Sequence, residues 1–403
     1  MAAAAVARIT YLTSDVVVEA RSSPSHSLFA ETYATVAKSS HHEPTIVQLP
    51  IGADVGAALV RNSGARIISL SASSSPQLVS SLVLHLPEIS SQPVVLNIAV
   101  TDDLSDVLLL RSAAPFFLVS TTGQQAHDNA LLAARLAQAE HKAVIHAFYV
   151  QRADEPVIEI PTDEVLPFLM DGKRGAPSHV SNGLVNVPVN GGIIGRTPTI
   201  YTPETSSGET SPEHAITDDL ALLENFKSYE SVSLATHQLT HRTTLPFTTH
   251  SSPDAHTVVF TVGKVESPLD VEGVTFVQVS LINPLLPSRI LASIPSTAKT
   301  VIVLEHVWRW SMKWPPLYLE VASSLQQLQR EHRPAVYSGL LGDTSDVSRI
   351  DVLKLVQQVS TDSPIVLGSP PASPSATLPH VPTHELSYTK VLTHVFADRL
   401  EIS

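Results

Sequence analysis

Four short apolar runs decide the fold: residues 257–262 (TVVFTV), 274–280 (VTFVQVS), 299–304 (KTVIVL) and 334–340 (PAVYSGL). Each is too short for a helix, rich in β-branched residues and bounded by turn formers such as Gly263, Gly273, Pro284 and Gly339. Such runs read as strands buried on both faces. Helix-like stretches separate them, and that alternation builds a parallel α/β sheet. The chain also contains no cysteine. It therefore offers none of the thiolates that anchor an iron–sulfur cluster.

Working outward, the first 160 residues repeat the pattern. Strands are expected at 8–12, 45–48, 66–71, 94–100, 116–120 and 143–149, with helices at 27–38, 53–61, 76–85, 105–113 and 124–140. The last helix gathers Ala126, Ala130, Ala133, Ala134 and Ala137 close to one face, so it can approach a sheet closely. Between 161 and 254 the pattern breaks, and Gly, Pro, Ser, Thr and Asn dominate 172–213. That composition predicts a connector with at most a short helix at 216–229. A helix at 348–360 is followed by a Pro- and Ser-rich linker at 363–383 and a closing amphipathic helix, SYTKVLTHVFADRLEIS. The expected units are 1–160, a connector at 161–254, a second domain at 255–362, and a linker with a terminal helix at 363–403.

The formal net charge is −13, and the Lys and Arg residues are scattered rather than gathered into a stripe. A nucleic-acid partner is not expected. No apolar run reaches the ~18 residues of a membrane span, and the alanine-rich start makes a poor signal peptide, so the expected location is cytoplasmic.

Several blocks resemble a known family. The segments 252–267 (SPDAHTVVFTVGKVES), 274–306, 315–325 (PPLYLEVASSL) and 336–342 (VYSGLLG) resemble domain II of the pyruvate:ferredoxin (flavodoxin) oxidoreductases, and 102–148 is similar to the second half of their domain I. The family helix Pro-Leu-Tyr-Leu-Asp/Glu-Val is matched by Pro316 through Val321. The resemblance implies two parallel-sheet α/β domains: a degenerate thiamine-diphosphate-binding-like fold, then a transketolase C-terminal-like domain. Fungal-type NADPH sulfite reductases carry degenerate copies of these domains ahead of flavodoxin, sirohaem or flavoprotein modules. The closing helix resembles the one that precedes the flavodoxin module in their β subunits.

The resemblance also implies coenzyme residues, and this sequence departs from them. Where the oxidoreductases place the glutamate that works on the thiamine aminopyrimidine, LPIGADVGAALV offers Ile51 or Gly52, with Asp54 one turn late. Their Tyr-Pro-Ile-Thr-Pro substrate loop is replaced by RSSPSHS (21–27), and the substrate-binding arginine has no match in LNIAVTDD (96–103). LSASSSP (70–76) is a faint echo of a flavin phosphate loop and reads first as a turn capped by Ser74 or Ser75.

The other candidates have ordinary readings beside functional ones. His237 and His241 share the i, i+4 spacing of a metal site, with His250 nearby, but the segment is Thr-rich and lacks an acid at ligand spacing. His127 and Asp128, a pair the family shares, are either a polar edge near an ancestral cleft or a packed histidine beside an acid that suits a helix start. All three tryptophans fall in HVWRWSMKWPP. Trp308, Arg309, Trp310 and Trp314 form a candidate docking loop at the C-terminal edge of a parallel sheet, or else fill space on their own domain.

The expected function is a non-catalytic N-terminal scaffold of an assimilatory NADPH sulfite reductase subunit, β rather than α, with no cofactor of its own. Sirohaem, cluster, FMN or FAD and NADPH would sit elsewhere in the parent enzyme. Partners would be the other subunit or flavodoxin and haemoprotein modules beyond Ser403. The alternatives are a divergent 2-oxoacid oxidoreductase half that shares thiamine diphosphate with a partner chain, and a free-standing interaction module.

Overall fold

The computed structural model describes residues 1–21, 27–101, 103–111, 114–150, 156–170, 218–250, 252, 254–263, 271–308, 315–342, 349–359 and 365–369. Its strands are β1 (Val16–Ala20), β2 (Thr45–Leu49), β3 (Ile68–Ser73), β4 (Val94–Val100), β5 (Phe116–Ser120), β6 (Val144–Tyr149), β7 (Phe247–His250), β8 (Thr257–Val262), β9 (Val274–Val279), β10 (Leu281–Asn283), β11 (Thr300–Glu305), β12 (Ala335–Leu341) and β13 (Ile365–Leu367). They form two sheets, in the orders β10-β5-β6-β4-β3-β1-β2 and β13-β12-β11-β8-β9-β7. Every pairing is parallel except β10 on β5 and β7 on β9. This is the two-sheet α/β architecture expected from the sequence.

Strand β4 (VVLNIAV) is buried at every position, as a strand covered by helices on both faces must be. One face, with Leu96, Ile98, Ile145 and Tyr149, meets α3 (Val55–Arg61), α4 (Pro76–Ile89), α5 (Ser105–Leu108) and the second sheet. The other, with Val95, Ala99, Val144 and Phe148, meets α1 (Ala2–Thr13), α2 (Ala30–Val36) and α6 (Gly123–Glu140), backed by α7 (Thr162–Met170) and α8 (Leu220–Thr240). The remaining helices, α9 (Pro287–Ala292), α10 (Pro316–Leu325) and α11 (Arg349–Gln358), belong to the second half.

Three expectations are corrected. Residues 8–12 are not a strand but the end of α1, in which Ala2, Ala3, Ala5, Val6, Ala7, Ile9 and Leu12 are all buried. α1 lies along α6, where alanines on both helices permit close approach, and that packing outweighs the β-branched tail of the segment. The true first strand is β1. The stretch 161–254 is more than a connector with a short helix: it supplies α7, the 21-residue α8 and β7. Asp219 caps α8, its carboxylate accepting from the Ala221 and Leu222 amides, and Phe226, Tyr229 and Val232 bury a helical stripe near α6. Within the linker expected at 363–383, residues 365–367 form β13. The closing helix at 387–403 lies outside the described residues.

The two halves interlock. After β9 the chain steps from the second sheet into the first, where β10 pairs antiparallel with β5, Leu281 opposite Leu118. Gln278 donates to the Thr121 hydroxyl at 2.9 Å, and Asn283 donates to the Ala114 carbonyl at 2.7 Å.

Candidate functional site

The strand ends of both sheets converge at one buried polar junction. The sequence brings there Asp103 from just after β4, Tyr149 from the end of β6, Gly263 after β8, and Glu305, His306 and Trp308 at and after β11. Parallel sheets direct all their carboxyl ends to one edge, so residues far apart in sequence meet there. Asp103 accepts the Ser105 amide at 3.0 Å and, across the junction, the Trp308 amide at 2.8 Å. The His306 carbonyl accepts the Leu104 amide at 2.9 Å.

Tyr149 and His306 are joined by a 2.7 Å bond from the tyrosine hydroxyl to Nδ1. Burial, together with the Asp103 charge, holds the Tyr149 hydroxyl well above its ordinary range, so it remains a neutral phenol. Gly263 makes room for this pair: a Cβ there would fall 2.6 Å from the His306 Cβ, and its φ of +126° suits glycine alone.

Glu305 is fully buried, and its two carboxylate oxygens accept the amides of Leu317 (3.0 Å) and Tyr318 (2.9 Å) in the first turn of α10. Burial pushes this carboxyl up to about 7, against the opposing pull of those two amides and of Arg111. Arg111 itself donates to the Pro316 carbonyl and pairs with Glu320 at 3.3 Å.

Of the expected docking residues, Trp308 stands at this junction, half-buried, with its indole N–H donating inward to the Leu341 carbonyl at 2.6 Å. Arg309, Trp310 and Trp314 lie outside the described residues. The root of the tryptophan segment is therefore tied to its own fold at both the backbone and the ring.

In the segment 49–60, where the resemblance would place the oxidoreductases' coenzyme glutamate, Ile51 is exposed and Gly52 sits at φ +79°. The Asp54 carboxylate is engaged elsewhere: it caps α3 through the Ala57 amide (3.0 Å), accepts the Ser81 hydroxyl (2.9 Å) and faces His85 at 3.3 Å. The Ala57 and Ser81 hydrogen bonds hold its carboxyl below the usual carboxylate range. One buried acid sequence reading passed over lies nearby. Glu19 on β1, in register with Gln48 and Ser71, accepts from Ser27 and from Gln48. Ser75 caps α4 by accepting the Leu78 amide, in keeping with the turn reading of LSASSSP.

A second polar chain crosses the core: Asn129 donates to Ser120 (2.8 Å), Ser120 meets His146 Nε2 (2.9 Å), His146 Nδ1 meets Asn97 (2.9 Å), and Asn97 donates to Thr10 (3.0 Å). The order imitates a Ser-His-Asn relay. Ser120 and His146 are fully buried, however, so no substrate carbonyl reaches the hydroxyl, and the chain serves to pin α1 and α6 to the sheet. His127 is likewise buried, its Nδ1 on Asp128 at 2.8 Å. His241 caps α8 in the left-handed conformation and so leaves the helical face it would share with His237. Among the described residues no group of three metal-ligating side chains comes together.

No protein-family model matches the sequence. The architecture is that of a two-sheet α/β protein, and its distant relatives are oxidoreductases. The chain is 23% identical over 335 residues to a sulfite reductase [NADPH] subunit beta of Schizosaccharomyces pombe, covering 79% of this chain and 21% of the relative. It is 25% identical over 372 residues to a pyruvate-flavodoxin oxidoreductase of a Nostoc species, covering 85% of this chain and 88% of that sequence. Thus the chain spans about a fifth of the length of the sulfite reductase subunit. Among solved structures, a 2-oxoglutarate:ferredoxin oxidoreductase from Magnetococcus marinus superposes on 89% of this chain and 64% of its own, with a TM-score of 0.49 and 13% identity. No helix among the described residues is long and apolar enough to cross a membrane.

Proposed function

We propose that this chain is a non-catalytic scaffold of the kind found at the N-terminus of NADPH sulfite reductase subunits, holding partner modules rather than a coenzyme. One observation carries the reading. The acid next to the position of the family's coenzyme glutamate, Asp54, is committed to the α3 cap, Ser81 and His85, while Ile51 faces solvent. A carboxylate spent on a helix cap is not free to exchange a proton with an aminopyrimidine. In this reading the units 1–160 and 255–362 are the degenerate coenzyme-type and transketolase C-terminal-like domains, and the tryptophan segment from Trp308 to Trp314 serves to dock the other subunit or the flavodoxin and haemoprotein modules. A cytoplasmic role in sulfur assimilation follows from the same reading.

The test is titration calorimetry of the purified chain with thiamine diphosphate and magnesium. The scaffold reading expects no saturable heat, and one-to-one binding overturns it. A sulfite reductase haemoprotein offered separately should be retained by the immobilised chain, and failure to retain it removes the partner assignment.

A second reading is favoured by Glu19 and by the pyruvate-flavodoxin oxidoreductase relative, 88% of which aligns with this chain. Here the chain is half of a divergent 2-oxoacid oxidoreductase, and Glu19 supplies the coenzyme acid from the neighbouring strand. Calorimetry on Glu19→Gln separates the two, because only this reading makes thiamine diphosphate binding depend on Glu19.

A further inference from the structure

The polar junction contains a device that neither reading of function uses. Glu305 ends β11, and Leu317 and Tyr318 begin α10, so their three-way contact closes the chain on itself across residues 306–316. All three tryptophans of the protein lie within that closed stretch. We propose that Glu305 is a proton-operated clamp: ionised, it holds both amides of the first turn of α10 against the end of β11; protonated, it loosens its hold on one of them.

The argument is geometric. The amides of Leu317 and Tyr318 are two of the four that a helix start leaves without an intrahelical acceptor. A carboxylate answers both, one oxygen to each amide. A neutral carboxyl carries a hydrogen on one oxygen, and a helix start offers it only donors. That oxygen keeps some acceptor capacity but is a far weaker acceptor than a carboxylate oxygen, so its hold on the amide loosens.

Among the described residues, few charged groups surround Glu305. Its registered neighbours on β8 and β12 are Val262 and Leu340, which carry no charge. From α10 comes Glu320, paired with Arg111 of the segment after α5, and that cation favours the ionised form. His306 follows in the chain with Tyr149 on its Nδ1, and Asp103 holds the Trp308 amide. With burial opposing Arg111 and the two amides, the carboxyl titrates near neutrality rather than in the acid range. The clamp thus works in a pH interval that cells occupy.

The experiment uses the full chain. With 15N-labelled tyrosine and leucine, the amide signals of Tyr318 and Leu317 are followed from pH 5.5 to 8.5, alongside tryptophan emission. The expected result is a single titration of both amides with a midpoint at about 7, accompanied by a tryptophan emission change that Glu305→Gln abolishes. Amide signals that stay flat across the range in the unaltered protein overturn the clamp, whether or not the variant folds. A tryptophan titration that persists in a folded Glu305→Gln also overturns it and assigns the change to one of the histidines.

Discussion

Arg242 grips Asp128 with two parallel hydrogen bonds, Nε to Oδ2 at 2.7 Å and Nη2 to Oδ1 at 2.8 Å, binding the turn after α8 to the start of α6. Burial pushes the Asp128 carboxyl up, but bonds from Arg242 and His127 outweigh it and hold it below its ordinary value. The bidentate fork is the strong form of this interaction.

Removing the arginine strands a buried anion. Arg242→Leu should destabilise the fold by about 3 kcal/mol, the low end for a broken buried pair because the guanidinium is partly solvated. Arg242→Lys, which keeps the charge and loses the fork, should recover less than half of that. Urea unfolding of the three proteins checks the order. Because the folded carboxyl titrates below the unfolded one, this contribution is present above about pH 4 and fades as pH falls further.

His146 makes the opposite kind of pH demand. Full burial lowers its pKa from 6.5 to about 3, so the folded chain keeps it neutral while the unfolded chain takes up a proton. Stability on its account is present above about pH 6.5 and is lost as pH falls towards 3, at up to ~1.4 kcal/mol per pH unit. His146→Gln should flatten that slope between pH 6 and 4.5 while lowering stability at pH 7, where Ser120 and Asn97 lose a partner. An unchanged slope in the variant would assign the dependence to other histidines.

Gly56 is required by contact rather than by backbone twist. A Cβ there would lie 2.5 Å from both the His85 ring and the Ser81 carbonyl oxygen, and the latter is backbone that cannot swing away. Gly56→Ala should cost ~1–3 kcal/mol by forcing α3 from α4. The effect should appear in thermal unfolding and as faster exchange of the Ala57 amide.

The tryptophans separate structure from docking. Trp308→Phe removes the indole donor to Leu341 and should lower the melting temperature by about 2 °C, the equivalent of one hydrogen bond. If residues 309–314 form the docking surface, Trp310→Ala should weaken retention of a sulfite reductase haemoprotein and leave melting unchanged. Equal melting losses in both variants would contradict that division.

Most strands were legible where β-branched residues ran between turn formers, as in β4, β8 and β11, although β1 (VVVEA) was passed over. Helix α8 was legible only in its first half, within the short helix expected at 216–229, because Val232, Thr236 and Thr240 suggest strand or coil on propensity alone. Its stripe of Phe226, Tyr229 and Val232 and the Asp219 cap were the available signal. α1 was misjudged for the converse reason: RITYL suits a strand until α6 supplies a surface for its alanines. The junction was hidden more deeply. Asp103, Tyr149 and His306 stand alone on separate segments, and only the sheet order puts them together. Glu305 looked like the polar end of an apolar strand, since nothing local ties it to a helix start twelve residues later.

The step that carries β10 into the neighbouring sheet bears on how this molecule can be taken apart. A recombinant product stopped near residue 250 would lack the three residues that cover the outer side of Phe116–Ser120. Its bare backbone donors and acceptors would then invite another copy to fill the gap. Whoever trims the gene to isolate the N-terminal half should expect clumping rather than a well-behaved fragment, and the remedy is to retain the chain through Asn283.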